Sequence, residues 1–346
     1  MRRLGMRVFS SLIGIFVGLI VSAAVLSHFS VTLTALVVAT GVFWVVHIVA
    51  DLLALKVFFR DPSFLMLLVV SLGATVVSLI VVAASAVSIG AMLFVRRGAP
   101  EGSYFKDGDR ASGVFGVLAT GFSVLLGFII FLAFTSYDNS RTGAEQEALV
   151  TSQQVETAQF LPQPASQQLT GQLVCYARYV VYDAWPQMEA DTLGDSINPW
   201  AASMFRTLKT VQPQSNSEQA AYSKWLDQTS DREAARSDRI HGAVGVIPTP
   251  LWIVLFIISG VIFVYMLFFA DSSEGPFTQA MMMGSVTSVI VLMLLLLHFL
   301  DSPFNTGVGG LKPVAMQRTL RIMDQELKIV GPIPIPCDAH GNLQAG

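Results

Sequence analysis

Long runs without a charged side chain alternate with polar segments along this chain. Residues 8–50 contain no Asp, Glu, Lys or Arg, and the polar stretch Ser27-His28-Phe29-Ser30 divides them into apolar halves at about 8–27 and 31–50. Residues 62–95, 111–137, 240–270 and 275–300 are equally free of charge. About 20 apolar residues rising 1.5 Å each cover the roughly 30 Å hydrocarbon core of a bilayer. The pattern therefore predicts about six transmembrane helices in an all-α, polytopic membrane protein. Residues 62–95 suit one long or tilted helix better than two, with a re-entrant hairpin as the alternative. The first apolar run is longer than the core of a cleaved signal peptide and another follows at once, so it is expected to stay as a span.

The segment 138–239 carries 13 acids and 8 bases and is expected to face water. Its periodicity is helical. Ala148, Ser152, Val155 and Ala158 recur on one face, and Pro162 and Pro164 end that helix. Leu169, Leu173, Tyr176, Val180 and Ala184 form a stripe beside a second one of Val174, Ala177, Val181 and Trp185. A band that wide implies burial on more than one side. Asn198-Pro199 has the form of an N-cap with proline at N1, and Ser215 with Glu218 has capping-box spacing. No proline, and no glycine before Gly143, separates the apolar run ending near Phe134 from Glu145, so the fourth span and the first helix of the domain are expected to be one rod. The chain divides into an N-terminal transmembrane region (1–95), a loop and fourth span (96–137), a helical water-exposed domain (138–239), the fifth and sixth spans (240–300) and a C-terminal tail (301–346).

Composition agrees. Of 346 residues 53% are apolar and 13% charged, against about 25% charged in ordinary soluble domains. A net charge of −3 excludes the basic field that nucleic acid requires. Cys175 and Cys337 stand far apart with no CxxC or Cys/His spacing, so neither a structural metal nor a disulfide framework is indicated. Arg2, Arg3, Arg7, Lys56 and Arg60 place the N-terminus inside, counting spans from there puts 138–239 in the cytoplasm, and Arg232, Arg236 and Arg239 just before the fifth span agree. Arg96, Arg97, Lys106 and Arg110 contradict that count, because it leaves their loop outside.

Five pieces in order, GVFGVLATGFSVLLGFIIFLAF (113–134), YDNSRTGAEQEA (137–148), YARYVVYDAWPQM (176–188), the run from Arg239 to Phe269 and HFLDSPFNTGVGGLKPVAM (298–316), resemble the bacterial bestrophin-like family over roughly residues 92–325. The most specific pieces are Trp185-Pro186, the Arg239-to-Trp252 approach to the fifth span, and Asp301, Pro303 and Phe304. Residues 1–90 more weakly resemble small holin-like membrane proteins, as a fused accessory bundle would. The bestrophin resemblance implies a bacterial inner-membrane homo-oligomer, pentameric by analogy, conducting small anions such as chloride. In that family the pore helix runs from the membrane into the cytosol, with apolar side chains four apart forming a constriction. Here that places Thr120, Val124 and Phe128 on the pore stripe. The sequence departs from the family in reading Thr135-Ser-Tyr-Asp-Asn-Ser-Arg141 after the span, and no acidic calcium clasp is matched.

Thr120, Val124 and Phe128 share one helical face, and their alternative role is ordinary packing. Gly116, Gly121 and Gly127 permit close helix approach. Arg232, Arg236 and Arg239 form a basic stripe that could concentrate anions at a pore mouth or instead pair with lipid phosphate or with acids such as Glu233 and Asp238. His47 with Asp51 reads as an interfacial anchor, and His298 with Asp301 as a helix terminator or assembly contact rather than an ion site. Tyr137, Asp138 and Arg141 form a polar group at the membrane boundary. There is no GxSxG, HExxH or Walker loop, so no catalytic residue, metal or cofactor is expected. The reading from another class is a non-conducting scaffold or sensor whose helical domain binds a partner.

Overall fold

The computed structural model describes residues 63–190, 198–307, 309–331 and 333–343. Helix α1 covers Ser63–Arg96, unbroken, so the hairpin alternative for 62–95 does not form. Helix α2 runs through Gly108–Ala158, 51 residues, or about 76 Å at 1.5 Å per residue. The rod expected from the missing breaker is therefore present. Asp107 caps its start by accepting from the Arg110 N–H at 3.0 Å, and Pro162 and Pro164 follow its end. α1 from Thr75, α2, α7 (Thr249–Phe268) and α8 (Pro276–Asp301) are the four described helices long and apolar enough to cross a bilayer. The first two expected spans, His47, Asp51 and most of the holin-like stretch lie outside the described residues.

The domain between α2 and α7 is helical, as its periodicity indicates. α3 (Ala165–Tyr179) continues through a π-helical turn, Val180–Ala184, into α4 (Trp185–Glu189). Pro186 cannot donate to the carbonyl four residues back. The helix widens just ahead of it, and the Trp185 N–H reaches Val180 O, five residues back. α5 (Pro199–Leu208) starts on the Asn198 side chain, and α6 (Asn216–His241) on the Ser215–Glu218 capping box. Both stripes of α3 are buried in the domain core, where Leu169, Leu173, Val174, Tyr176 and Ala177 are fully enclosed.

Two features depart from the sequence reading. The tail is not merely a tail: Val314–Val330 forms helix α9, which packs on α2 and α3 and buries Met316, Thr319 and Met323. The sequence carries a signal for it, since Met316, Leu320, Met323 and Leu327 recur at helical spacing. The two cysteines are joined in a disulfide between α3 and the end of the chain, across a sequence separation of 162. The two residues are brought together by tertiary packing, and local spacing cannot show such a bridge.

In the membrane layer Phe122, Leu126, Ile129 and Ala133 of α2 pack against Leu255 and Ile262 of α7 and Leu297 and Leu300 of α8. Away from the domain, Arg96 Nη2 donates to the carbonyls of Ser272 and Glu274, and Phe105 lies between Tyr265 and Phe269. Gly116, Gly121 and Gly127 meet nothing within 4 Å, so the close approach expected of them is not made among the described residues. On this helix Gly143 makes one. A Cβ there would stand 2.5 Å from the Arg239 nitrogen and 2.7 Å from the Ala235 carbonyl oxygen of α6. Both are backbone atoms, so the helices themselves must part. Gly143→Ala should therefore destabilise the domain by about 1–3 kcal/mol. Thermal unfolding in mild detergent checks this, and an unchanged midpoint would show that the crossing is looser than described.

Candidate pore helix and its polar junction

Among the described residues, one face of α2 is covered by its own subunit and another is not. In the apolar part Thr120, Val124 and Phe128 are all exposed, Val124 by 69% and Phe128 by 62%. The uncovered face continues through Phe131 and Thr135 into Asp138, Thr142, Gln146, Leu149, Gln153 and Glu156. It therefore changes character from apolar to polar and acidic on a single uninterrupted helix.

The covered face beyond the membrane is a stripe of small and polar residues: Ser136, Ser140, Gly143, Glu147, Thr151, Gln154 and Ala158, all buried. Glu147 has no exposed surface. Its carboxylate accepts from Arg239 at 2.5 Å (Nε) and 3.2 Å (Nη2), and from the Tyr176 hydroxyl at 2.6 Å. Burial, and then the Glu147 charge, hold the Tyr176 hydroxyl well above the ordinary tyrosine range, so it stays a donor. Burial opposes the charge on Arg239, yet Glu147 overrides it and the net direction is upward. One layer further from the membrane, Arg232 Nη1 donates to Gln154 Oε1 at 2.5 Å, and its guanidinium lies 4.7 Å from the centre of the Tyr176 ring.

The arginine stripe thus does not face water as a unit. Arg232 and Arg239 are each 1% exposed, and Arg236, partly exposed, pairs with Glu233 at 3.7 Å. Spacing along α6 put the three on one side, and that side is turned towards α2. Glu147 and Gln154 were missed because a search for apolar stripes passes over a buried polar one, and Tyr176 was read only as a core residue. The available signal was a lone acid recurring in register with Ser140, Gly143 and Thr151.

The motif residues gather at the same level. Trp185 donates to Leu311 O at 3.3 Å and meets Phe304 edge-on at 5.4 Å, while Arg239 lies 5.8 Å from its ring centre. Pro186 is exposed and acts on the helix geometry before it. Pro303 is buried and faces Gly242, whose N–H donates to Ser140 Oγ at 3.1 Å. Asp301 accepts from the Val246 and Ile247 N–H groups at 2.7 and 2.9 Å, tying the end of α8 to the start of α7. His298 does not bond to it among the described contacts and instead lies 6.3 Å from the Trp252 ring. Tyr137, Asp138 and Arg141 separate: Tyr137 donates to Gly309 O at 2.7 Å, Arg141 pairs with Glu145 at 3.3 Å, and Asp138 is exposed. No group of His, Cys, Asp and Glu among the described residues could hold a metal.

Known proteins share this architecture. Point variants of a bacterial bestrophin homolog from Klebsiella pneumoniae superpose with TM-scores of 0.55 and 0.56, each at 13% identity. They cover 70% and 73% of this chain and 98% and 99% of theirs. A further variant of that homolog, at 15% identity and a TM-score of 0.54, covers 75% of this chain and 99% of its own. At such identities the likeness speaks to the fold. No curated protein matches the chain. The family described as Bestrophin-like domain matches residues 82–315, more than half of the length, and the chain belongs to that family.

Proposed function

We propose that several copies of this chain assemble in the membrane around a shared axis, with α2 of each copy lining an ion pore. A single observation carries this reading: α2 is one rod through lipid and water, with one face left uncovered by the described residues of its own subunit from Thr120 to Glu156. Thr120, Val124 and Phe128 would face the axis and form a hydrophobic constriction that gates by dewetting. Five copies and an anion such as chloride as the permeant species follow from the family resemblance. Fixed charge does not favour the anion. Asp138, Glu145 and Glu156 are exposed on the aqueous part of α2, and Arg141 is engaged by Glu145. In this reading, selection belongs to the uncharged constriction rather than to a basic ring.

The same reading gives Arg232 and Arg239 a role as braces that hold the rod on α6. A buried ion pair costs desolvation when intact, and removing one partner strands the other charge, for about 3–5 kcal/mol. Glu147→Gln should lower stability by that order in a detergent melt. The double change Glu147→Gln/Arg239→Met should recover more than half of the loss. A double variant no better than the single would mean that the pair is not the coupling.

Reconstitution tests the pore itself. Wild-type protein in liposomes should pass chloride slowly, and Phe128→Ala should raise the flux several-fold by opening the constriction. The reversal potential in a salt gradient reads the sign of the permeant ion. Absence of flux in both proteins, with a monomer by size measurement in detergent, would leave the chain a scaffold on a channel fold.

A further inference from the structure

The disulfide bears on which side of the membrane the helical domain occupies. Cys175 lies in the middle of α3, and Cys337 follows the membrane helices α7 and α8 and then α9, so both cysteines end on one side. The chain around Cys337 is shaped to sit there. Gly171 faces the Pro334 carbonyl so closely that no Cβ fits, and Gly341, at φ +87°, lies against the Tyr179 backbone. Trp200 Nε1 donates to Gly341 O at 2.6 Å, and Arg178 to Asp338 O at 3.1 Å. Asp338 in turn accepts from the His340 and Asn342 N–H groups, both at 2.8 Å, closing the last turn on itself. Both sulfurs are buried under this strap, Cys175 fully and Cys337 to 3% exposure.

We propose that the helical domain and its C-terminal strap lie on the extracytoplasmic, oxidising face of the membrane, opposite to the side that counting spans from the N-terminus and the family resemblance both imply. Disulfides persist on that face, whereas cytosolic thiols are kept reduced. The bond closes by thiol–disulfide exchange: the two thiols become a disulfide while the disulfide of an oxidoreductase becomes a dithiol, with electrons and protons balanced between them.

A second observation points the same way and does not involve sulfur. The short connection between α1 and α2, at the end of the membrane layer away from the domain, carries Arg97 and Lys106, with Arg96 and Arg110 at its borders. Arg97, Lys106 and Arg110 are exposed there. Lysines and arginines of short loops are held inside, while long segments cross largely regardless of charge. The domain joining α2 to α7 belongs to the second kind, and of the arginines of α6 nearest the membrane Arg239 is paired with Glu147 and Arg232 is buried. Because α2 is a single crossing, a cytoplasmic connection before it places the domain outside. The opposing count passes through residues outside the described part of the chain.

Two measurements on full-length protein in a bacterial membrane decide it, and neither involves ion flux. Under denaturing, non-reducing conditions a polyethylene-glycol maleimide should add no label to the wild type, and two labels after reduction. In spheroplasts a membrane-impermeant maleimide should label Ser223→Cys, exposed on α6, directly, and Glu101→Cys only after permeabilisation. Two free thiols in the wild type, or the reverse labelling order, would overturn the proposal.

Discussion

Glu147 and Arg239 face each other with no water between them, and their contact determines how α2 stands on α6. Such a pair adds little net stability, because desolvating both charges consumes most of the Coulombic gain. What it supplies is register. One turn before Glu147, Gly143 lies against the backbone of the same Arg239. Sliding the helices by one turn would bring a side chain into the place of the missing Cβ and strand both charges. A steric key and an electrostatic key thus sit on adjacent turns of one helix and address one residue of the other.

That lock matters because α2 serves two solvents. In lipid its backbone has no partner but itself, so the helix must be intact there. In water nothing obliges it to continue, and isolated helices are marginal. Packing against α6, α9 and α3 keeps the aqueous half helical. Tyr137 stands where the two regimes meet, in contact with the membrane core and with the domain core. The residues that carry the family resemblance, Trp185, Asp301, Pro303 and Phe304, lie at the same level. They tie the ends of α7 and α8 and the α3–α4 helix to the point where α2 leaves the bilayer.

Much of this was legible in the sequence, and the legible parts are local. Uncharged runs mark four described spans because lipid tolerates little else, and the Asn198 and Ser215 caps announce themselves within four residues. The illegible parts depend on a second element. Arg232, Arg236 and Arg239 have the same spacing whether they meet water or another helix, and an acid on α2 decides between the two. Cys175 and Cys337 have no motif, because only α9 and the strap bring them together. Helix α9 carries its pattern in Met316, Leu320, Met323 and Leu327, but no side-chain cap announces its start.

The internal arginines also separate two questions that the fold runs together. A channel mouth with outward-facing guanidinium groups would specify the sign of its ion before the constriction is reached. Here two of the three are held inside the subunit, and exposed charge along the aqueous part of α2 is mainly acidic. A ring of Val124 and Phe128 side chains, as proposed above, would have no net charge and could discriminate only through hydration and width. Ion preference in such a pore would be weakly specified and sensitive to single substitutions at those positions. The fold, held by Glu147, Arg239 and Gly143 elsewhere, would be indifferent to them. Architecture can therefore persist at 13% identity without fixing the chemistry of the exposed face of α2.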